Sequence, residues 1–181
     1  MSDPFASDPS GPAGQNNGGQ NNGAAPQGTL VVNLQYVKDL SFEVPGAPEV
    51  FAQLREQPRI DIALDVQARP LAPASNPNNN VFEVALQIRC DAKSGDTTAF
   101  IAELAYCGIF TLNVPEESLE PVLLVECPRL LFPFARNILA DVTRDGGFMP
   151  VLLTPIDFVA LWQSRRGQGG APIGGVQTAD A

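Results

Sequence analysis

A chain of 181 residues with 20 acidic and 11 basic side chains carries a net charge of −9, which disfavours nucleic acid or an anionic membrane surface as partner and favours a basic protein. Its 44% hydrophobic content suffices for one folded domain, and the longest apolar run, Pro121 to Ala135, is interrupted by Glu126 and Arg129 and cannot span a bilayer. With no histidine in the chain, every Ser-His, Cys-His and zinc-His arrangement is excluded.

Residues 1–28 are Gly, Asn, Gln, Pro and Ser with almost nothing to bury, and are expected to form a disordered tail. The first residues, MSDPFASDPSGPAG, have no basic start and no apolar core of a secretory signal, so a cytoplasmic protein is expected. From Thr29 to Val44, Leu30, Val32, Leu34, Tyr36, Leu40 and Phe42 alternate with Asn33, Gln35, Asp39, Ser41 and Glu43, the period of a half-buried strand. Lys38 breaks that register and marks a bulge. Pro45, Gly46 and Pro48 stop the strand, leaving room for a short helix at Glu49 to Leu54.

A second strand runs from Arg59 to Ala68, with Ile60, Ile62, Leu64 and Val66 on one side and Arg59, Asp61, Asp65 and Gln67 on the other. The stretch Arg69 to Asn80 is too rich in Pro and Asn to be regular and too long for a tight hairpin; it is expected to cross over or flap. A third strand places Phe82, Val84, Leu86, Ile88 and Cys90 opposite Glu83, Gln87 and Arg89. The turn DAKSGD, with Gly95 free to take positive φ, joins it in a hairpin to a fourth strand, Thr98 to Leu112. Here Phe100, Ala102, Leu104 and Tyr106 oppose Ala99, Ile101, Glu103 and Ala105.

Past Pro115 the period becomes helical. Glu116, Glu117 and Glu120 suit the start of a short helix, and Pro128 can open a second that Pro133 kinks and Asp145-Gly146-Gly147 ends. Thr154, followed by Pro155 and Asp157, is the expected cap of a last helix whose Ile156, Val159, Ala160 and Trp162 pack inward. Gly167 begins a second disordered tail, 167–181. The reading is an α+β domain at 29–166, a four-stranded antiparallel sheet with C-terminal helices packed on one face.

Chemistry is sparse. No GxxxxGK[ST] loop or GxGxxG fingerprint is present, no metal or cofactor site is indicated, and no catalytic residue is assigned. Cys90, Cys107 and Cys127 are odd in number and lack CxxC spacing, which fits reduced, packed thiols. Cys107 as a nucleophile has no basic neighbour in sequence to lower its pKa. What remains is surface. The polar side of the strands carries Asp39, Glu43, Asp61, Asp65, Glu83 and Glu103 against Arg59 and Arg89, either a solvated face or a docking surface. The apolar side, with Ile60, Ile62, Leu64, Phe82, Val84, Phe100 and Leu104, reads as core or oligomer interface.

The segments YVKDLSFEVPGAPEVF, TAFIAELAYCGIF and PRLLFPFARNILADVTRDGGFMPVLLTPIDFVALW resemble the SecB family of protein-export chaperones, a likeness that covers Thr29 to Arg166, with KDLSFE and LFPFAR its most specific motifs. The resemblance implies an ATP-independent holdase for unfolded preproteins, without enzymatic activity, assembled as a homotetramer that is a dimer of dimers. It places the contacts for the translocation ATPase SecA on Asp39, Glu43, Ile101 and Glu103. It places substrate grip and tetramer assembly on Ala102, Leu104 and Tyr106 and on Ile60, Ile62 and Leu64, with Phe100 on the same apolar side. The chain departs from the family in Cys107-Gly108, where Gly-Gly is common, in lacking near Leu54 the aromatic often found in the loop before the second strand, and in its long NPNNN loop. Two other readings stand beside this one: a SecB-like chaperone serving a toxin–antitoxin pair, and a small cysteine-dependent enzyme using Cys107.

Overall fold

The computed structural model describes residues 28–54, 56–71, 80–168 and 173–177. Four long strands, β1 (Thr29–Glu43), β2 (Arg59–Pro70), β3 (Val81–Ser94) and β4 (Thr97–Asn113), and a short β5 (Ile173–Gln177) form one sheet in the order β1-β4-β3-β2-β5, each neighbouring pair antiparallel. The β3–β4 turn is tighter than the six residues suggest. Ser94 pairs with Thr97, Gly95 takes φ 59°, and Asp91 to Ser94 stay in the ladder.

β2 and β3 are direct neighbours, so the Pro- and Asn-rich connection is a wide hairpin and not a crossover; its residues 72–79 lie outside the described residues. The crossover falls earlier, between β1 and β2, which lie at opposite ends of the four long strands. It carries the expected short helix, α1 (Glu49–Gln53).

β1 holds two register shifts, one at Lys38 as expected and one at Asn33 that the sequence pattern conceals. Each shift reverses which side of the sheet successive side chains face. Leu34 and Tyr36, between the two, therefore pair with Ile109 and Cys107 on the outer side, while Gln35 and Val37 join the helix side, the reverse of the expected alternation.

The helices follow as α2 (Glu116–Pro121), a π-helical turn (Val122–Glu126) and α3 (Cys127–Asp145), one continuous run. The expected break at Pro128 is replaced by the wide turn. Pro121 and Pro128 each lack an N–H, and a π turn between them absorbs the mismatch that would end a regular helix. α3 continues through Pro133 and lays Leu131, Phe132, Ala135 and Leu139 on the sheet. Gly146 and Gly147 end it as expected, and Gly146 fits because a Cβ there would lie 2.1 Å from the Phe42 ring. Beyond them the buried Thr143 hydroxyl donates to the Leu139 carbonyl at 2.7 Å and accepts from the Val151 N–H at 3.0 Å, docking the extended segment that follows.

The last helix, α4 (Phe158–Gln168), begins later than a Thr154 cap requires. Its cap is Asp157, whose carboxylate accepts from the N–H groups of Val159 and Ala160, both at 3.0 Å. That shift in start turns Phe158, Leu161 and Trp162 toward the core and leaves Val159 and Ala160 exposed. Residues 1–27 of the expected N-terminal tail lie outside the described residues. Of the segment from Gly167, expected as a tail, the first two residues close α4 and Ile173–Gln177 pairs with β2, an open edge that any extended backbone can join.

Gly108 sits mid-strand in β4, on the helix side, where a Cβ would lie 2.6 Å from the Phe110 ring and 2.9 Å from Leu131 Cδ2. Both neighbours are buried and have no room to retreat. Gly108→Ala is expected to destabilise the fold by about 1–3 kcal/mol through overpacking, outweighing the unfolded-state gain of replacing glycine. A urea midpoint equal to or above that of the parent chain would refute this.

Candidate functional site

The register of β1 against β4 assembles the acidic patch. Asp39 lies beside Ala105, Ser41 beside Glu103 and Glu43 beside Ile101, so Asp39, Glu43, Ile101 and Glu103 share the outer side of two adjacent strands. A cleft of about 630 Å³ opens next to them. It is open because Ala63, Ala85 and Ala105 stand where larger residues would fill it, and its lining includes Lys38, Asp39, Asp65, Arg69 and Glu103.

The seven acids of this face, Asp91 beside Ile101 among them, divide by whether a cation meets them. Asp61 pairs with Arg59 at 3.1 Å, Asp65 with Arg165 of α4, Glu83 with Lys38 and Arg69, and Glu103 with Arg89. Asp39 and Glu43 have no ion-pair partner among the described residues. Arg89 also makes two bonds of 2.7 Å to Asp91, and these with Glu103 hold its guanidinium pKa above the usual range. The Arg89–Glu103 pair depends on a one-residue irregularity between Ala92 and Lys93. A ladder counted straight back from the turn would set Arg89 opposite Ala102, on the wrong side for Glu103.

Glu83 is the one buried carboxylate of this face, at 4% exposure. It accepts from the Tyr36 hydroxyl, from Lys38 Nζ at 3.1 Å and from Arg69 Nε at 2.5 Å. The Arg69 bond, with those of Tyr36 and Lys38, outweighs burial and lowers its carboxyl to about 2, while donating to Glu83 raises the Tyr36 phenol to about 12. Tyr36 pairs with Cys107, and Cys107 with Ala85, so small side chains let the phenol reach from β1 to β3. Cys107 is buried there, and burial with the nearby Glu83 charge pushes its thiol up. That is the opposite of what a nucleophile needs. Cys90 and Cys127, also buried, are pushed up to about 12 by burial, and all three cysteines are free thiols.

On the helix side the expected groove and assembly residues are mostly covered by the chain's own helices. Ile62, Leu64, Phe100 and Ala102 are buried, Leu104 is 2% and Tyr106 7% exposed, and Ile60 is half-buried. The apolar surface left open there includes Val32, Val37 and Leu40 on β1 and Leu130 and Phe134 on α3. Phe134, 52% exposed, stacks on Tyr106 with ring centroids 6.2 Å apart. The sequence signal for this second stripe was the i, i+4 pair Leu130 and Phe134, offset from the core-facing positions of α3.

The family model for preprotein translocase subunit SecB matches residues 23–169. The protein-export protein SecB of Granulibacter bethesdensis is 64% identical over 146 residues, spanning 77% of this chain and 83% of that protein. The SecB of Acidiphilium cryptum is 56% identical over 153 residues, spanning 77% and 90%. Among solved structures, a SecB-like chaperone from Mycobacterium tuberculosis in complex with a ChAD peptide from an antitoxin has a TM-score of 0.55 at 16% identity, over 70% of this chain and 87% of that one. At that identity the likeness concerns the fold alone.

Because the folded-state pKa of Glu83 is depressed, the stability it contributes is present above the ordinary carboxylate range and is lost as pH falls through about 2. Glu83→Gln should lower the urea midpoint at pH 7 and lose less stability than the parent chain between pH 4.5 and pH 2. Parallel pH profiles for the two chains would show that Glu83 is not the group responsible.

Proposed function

The chain belongs to the SecB family, and from that premise we propose that it is a cytoplasmic, ATP-independent export chaperone that holds unfolded preproteins and delivers them to the translocation ATPase SecA. Holding a client requires reversible burial and no bond chemistry, so no residue is assigned a catalytic role. The observation that carries the delivery step is the division of charges on the outer face. Asp39 and Glu43, on one side of β1 with Ser41 between them and free of ion pairs among the described residues, are the acids a basic partner can neutralise without first displacing an internal cation. Ile101 beside Glu43 supplies apolar contact, and Glu103 can be shared because Arg89 keeps its bonds to Asp91. Such a small mixed surface gives electrostatic steering and fast exchange.

The toxin–antitoxin reading rests on a fold likeness at 16% identity, while export proteins at 64% and 56% identity support the export reading. The cysteine-enzyme reading loses its support with the burial of Cys107.

For assembly, the homotetramer proposed here uses the second apolar stripe, Val37, Leu40, Leu130 and Phe134. The residues beneath it, Leu104 and Tyr106, act as its support and are already covered within one chain. Phe134→Glu should therefore dissociate the particle while preserving the far-ultraviolet circular dichroism of the subunit. Sedimentation that finds the variant still tetrameric at low concentration would move the interface elsewhere.

Delivery has its own test. Asp39→Ala with Glu43→Ala should weaken SecA binding about tenfold at low salt, a loss of about 1.4 kcal/mol, with less difference at high salt because exposed charges are screened over about 10 Å at 0.1 M. The double variant should retain its assembly and its hold on an unfolded preprotein. Unchanged SecA affinity would return the acidic face to a merely solvated surface.

A further inference from the structure

A strand paired on one side presents a row of unused N–H and C=O groups on the other, a template for any extended chain. On β2 that row is occupied by the chain itself. β5 pairs with it antiparallel, Asp61 with Gln177, Ile62 with Val176, Ala63 with Gly174 and Leu64 with Ile173. Immediately beyond, Arg165 of α4 donates from Nη1 to the Val66 carbonyl at 2.7 Å and pairs with Asp65. The backbone edge from Asp61 to Val66 is thus filled from within.

Three observations mark β5 as a loose occupant. It is 5 residues long, and its Gly174 and Gly175 lose more backbone freedom on ordering than other residues. Its ladder is irregular between Ile62 and Ala63. It also lies past residue 169, where the family match ends, while all four long strands lie within that match. In sequence it follows α4 after only four residues, and a segment joined covalently at so short a separation acts at millimolar effective concentration beside its site.

We propose that β5 is a resident stand-in for client: it fills the β2 edge between Asp61 and Leu64 and is exchanged for an extended strand of an unfolded polypeptide, which adds to the same backbone groups. This inference rests on the holdase reading above. Pairing through the backbone makes the site tolerant of client sequence, and the tethered strand keeps the edge from pairing with other chains when no client is present.

The test uses the full chain carrying Gly174→Pro and Val176→Pro, which removes two backbone donors from β5 and leaves the four long strands untouched. The probe is reduced, carboxymethylated α-lactalbumin, a permanently unfolded polypeptide. The substituted chain should bind it about fivefold more tightly, the gain expected when a competitor favoured by about 1 kcal/mol is removed. In the unsubstituted chain, saturation with the probe should speed hydrogen exchange at the amides of residues 173–177 while those of 61–64 stay protected. Equal affinities for the two chains, or amides at 173–177 that keep their protection at saturation, would overturn the exchange. If neither chain binds the probe, the holdase reading fails and takes the exchange with it.

Discussion

Side chains along a strand must alternate between two sides, and β4, paired along its length with β1 and with β3, passes that constraint to the whole sheet. Its helix side, from Phe100 to Leu112, fixes where α3 can lie, because Phe110 and Leu131 close over the gap that Gly108 leaves. Its outer side, Ile101, Glu103 and Ala105, fixes the acidic patch and the cleft beside it. Each large buried side chain contributes roughly 1.5–3 kcal/mol, so a slip of one residue would expose a row of them and bury Glu103. Core and candidate docking surface are therefore two readings of one register.

Within that frame, electrostatics separates residues that composition treats alike. Glu83 and Glu43 are both carboxylates on the outer side, yet one is enclosed by Tyr36, Lys38 and Arg69 and the other has no cation partner among the described residues. Burial makes the enclosed acid structural, since an unpaired charge there would be costly. Exposure makes the open acid available for recognition. The cations that make the distinction, Lys38, Arg69 and Arg165, are distant in sequence from the acids they meet and arrive by strand pairing or by the return of α4 to the β2 edge.

Much of the fold was legible because period-2 alternation survives in β2, β3 and β4, and because Gly95 and Gly146-Gly147 announce their turns. The bulge at Asn33 was not, since Leu34 and Tyr36 continue an apparently regular pattern while facing the other side. Pro128 looked like a helix start because single-sequence rules have no provision for a π turn that accommodates two prolines. Asp157 displaced Thr154 as cap because a carboxylate accepts two N–H groups where a hydroxyl was expected. At the candidate site, the shared face of Asp39, Glu43, Ile101 and Glu103 followed from alternation and from the family likeness. The neutralisation of Glu103 by Arg89 could not be read, because it depends on a ladder irregularity with no residue signature. Phe134 was hidden for a different reason: periodicity marks which helix face is apolar but not how much of it a single chain can cover.

The bonds converging on Glu83 also have a mechanical meaning. Tyr36 and Lys38 belong to the edge strand β1, Glu83 to β3 and Arg69 to β2, and the phenol passes over β4 to reach its acceptor. An edge held only by its ladder can be peeled one rung at a time under a perpendicular pull. With this brace across it, β1 cannot lift past Tyr36 without loading all four long strands at once. Tension transmitted from a tightly held polypeptide would meet resistance in shear at that row, so the sheet yields as one body instead of unzipping from its open side.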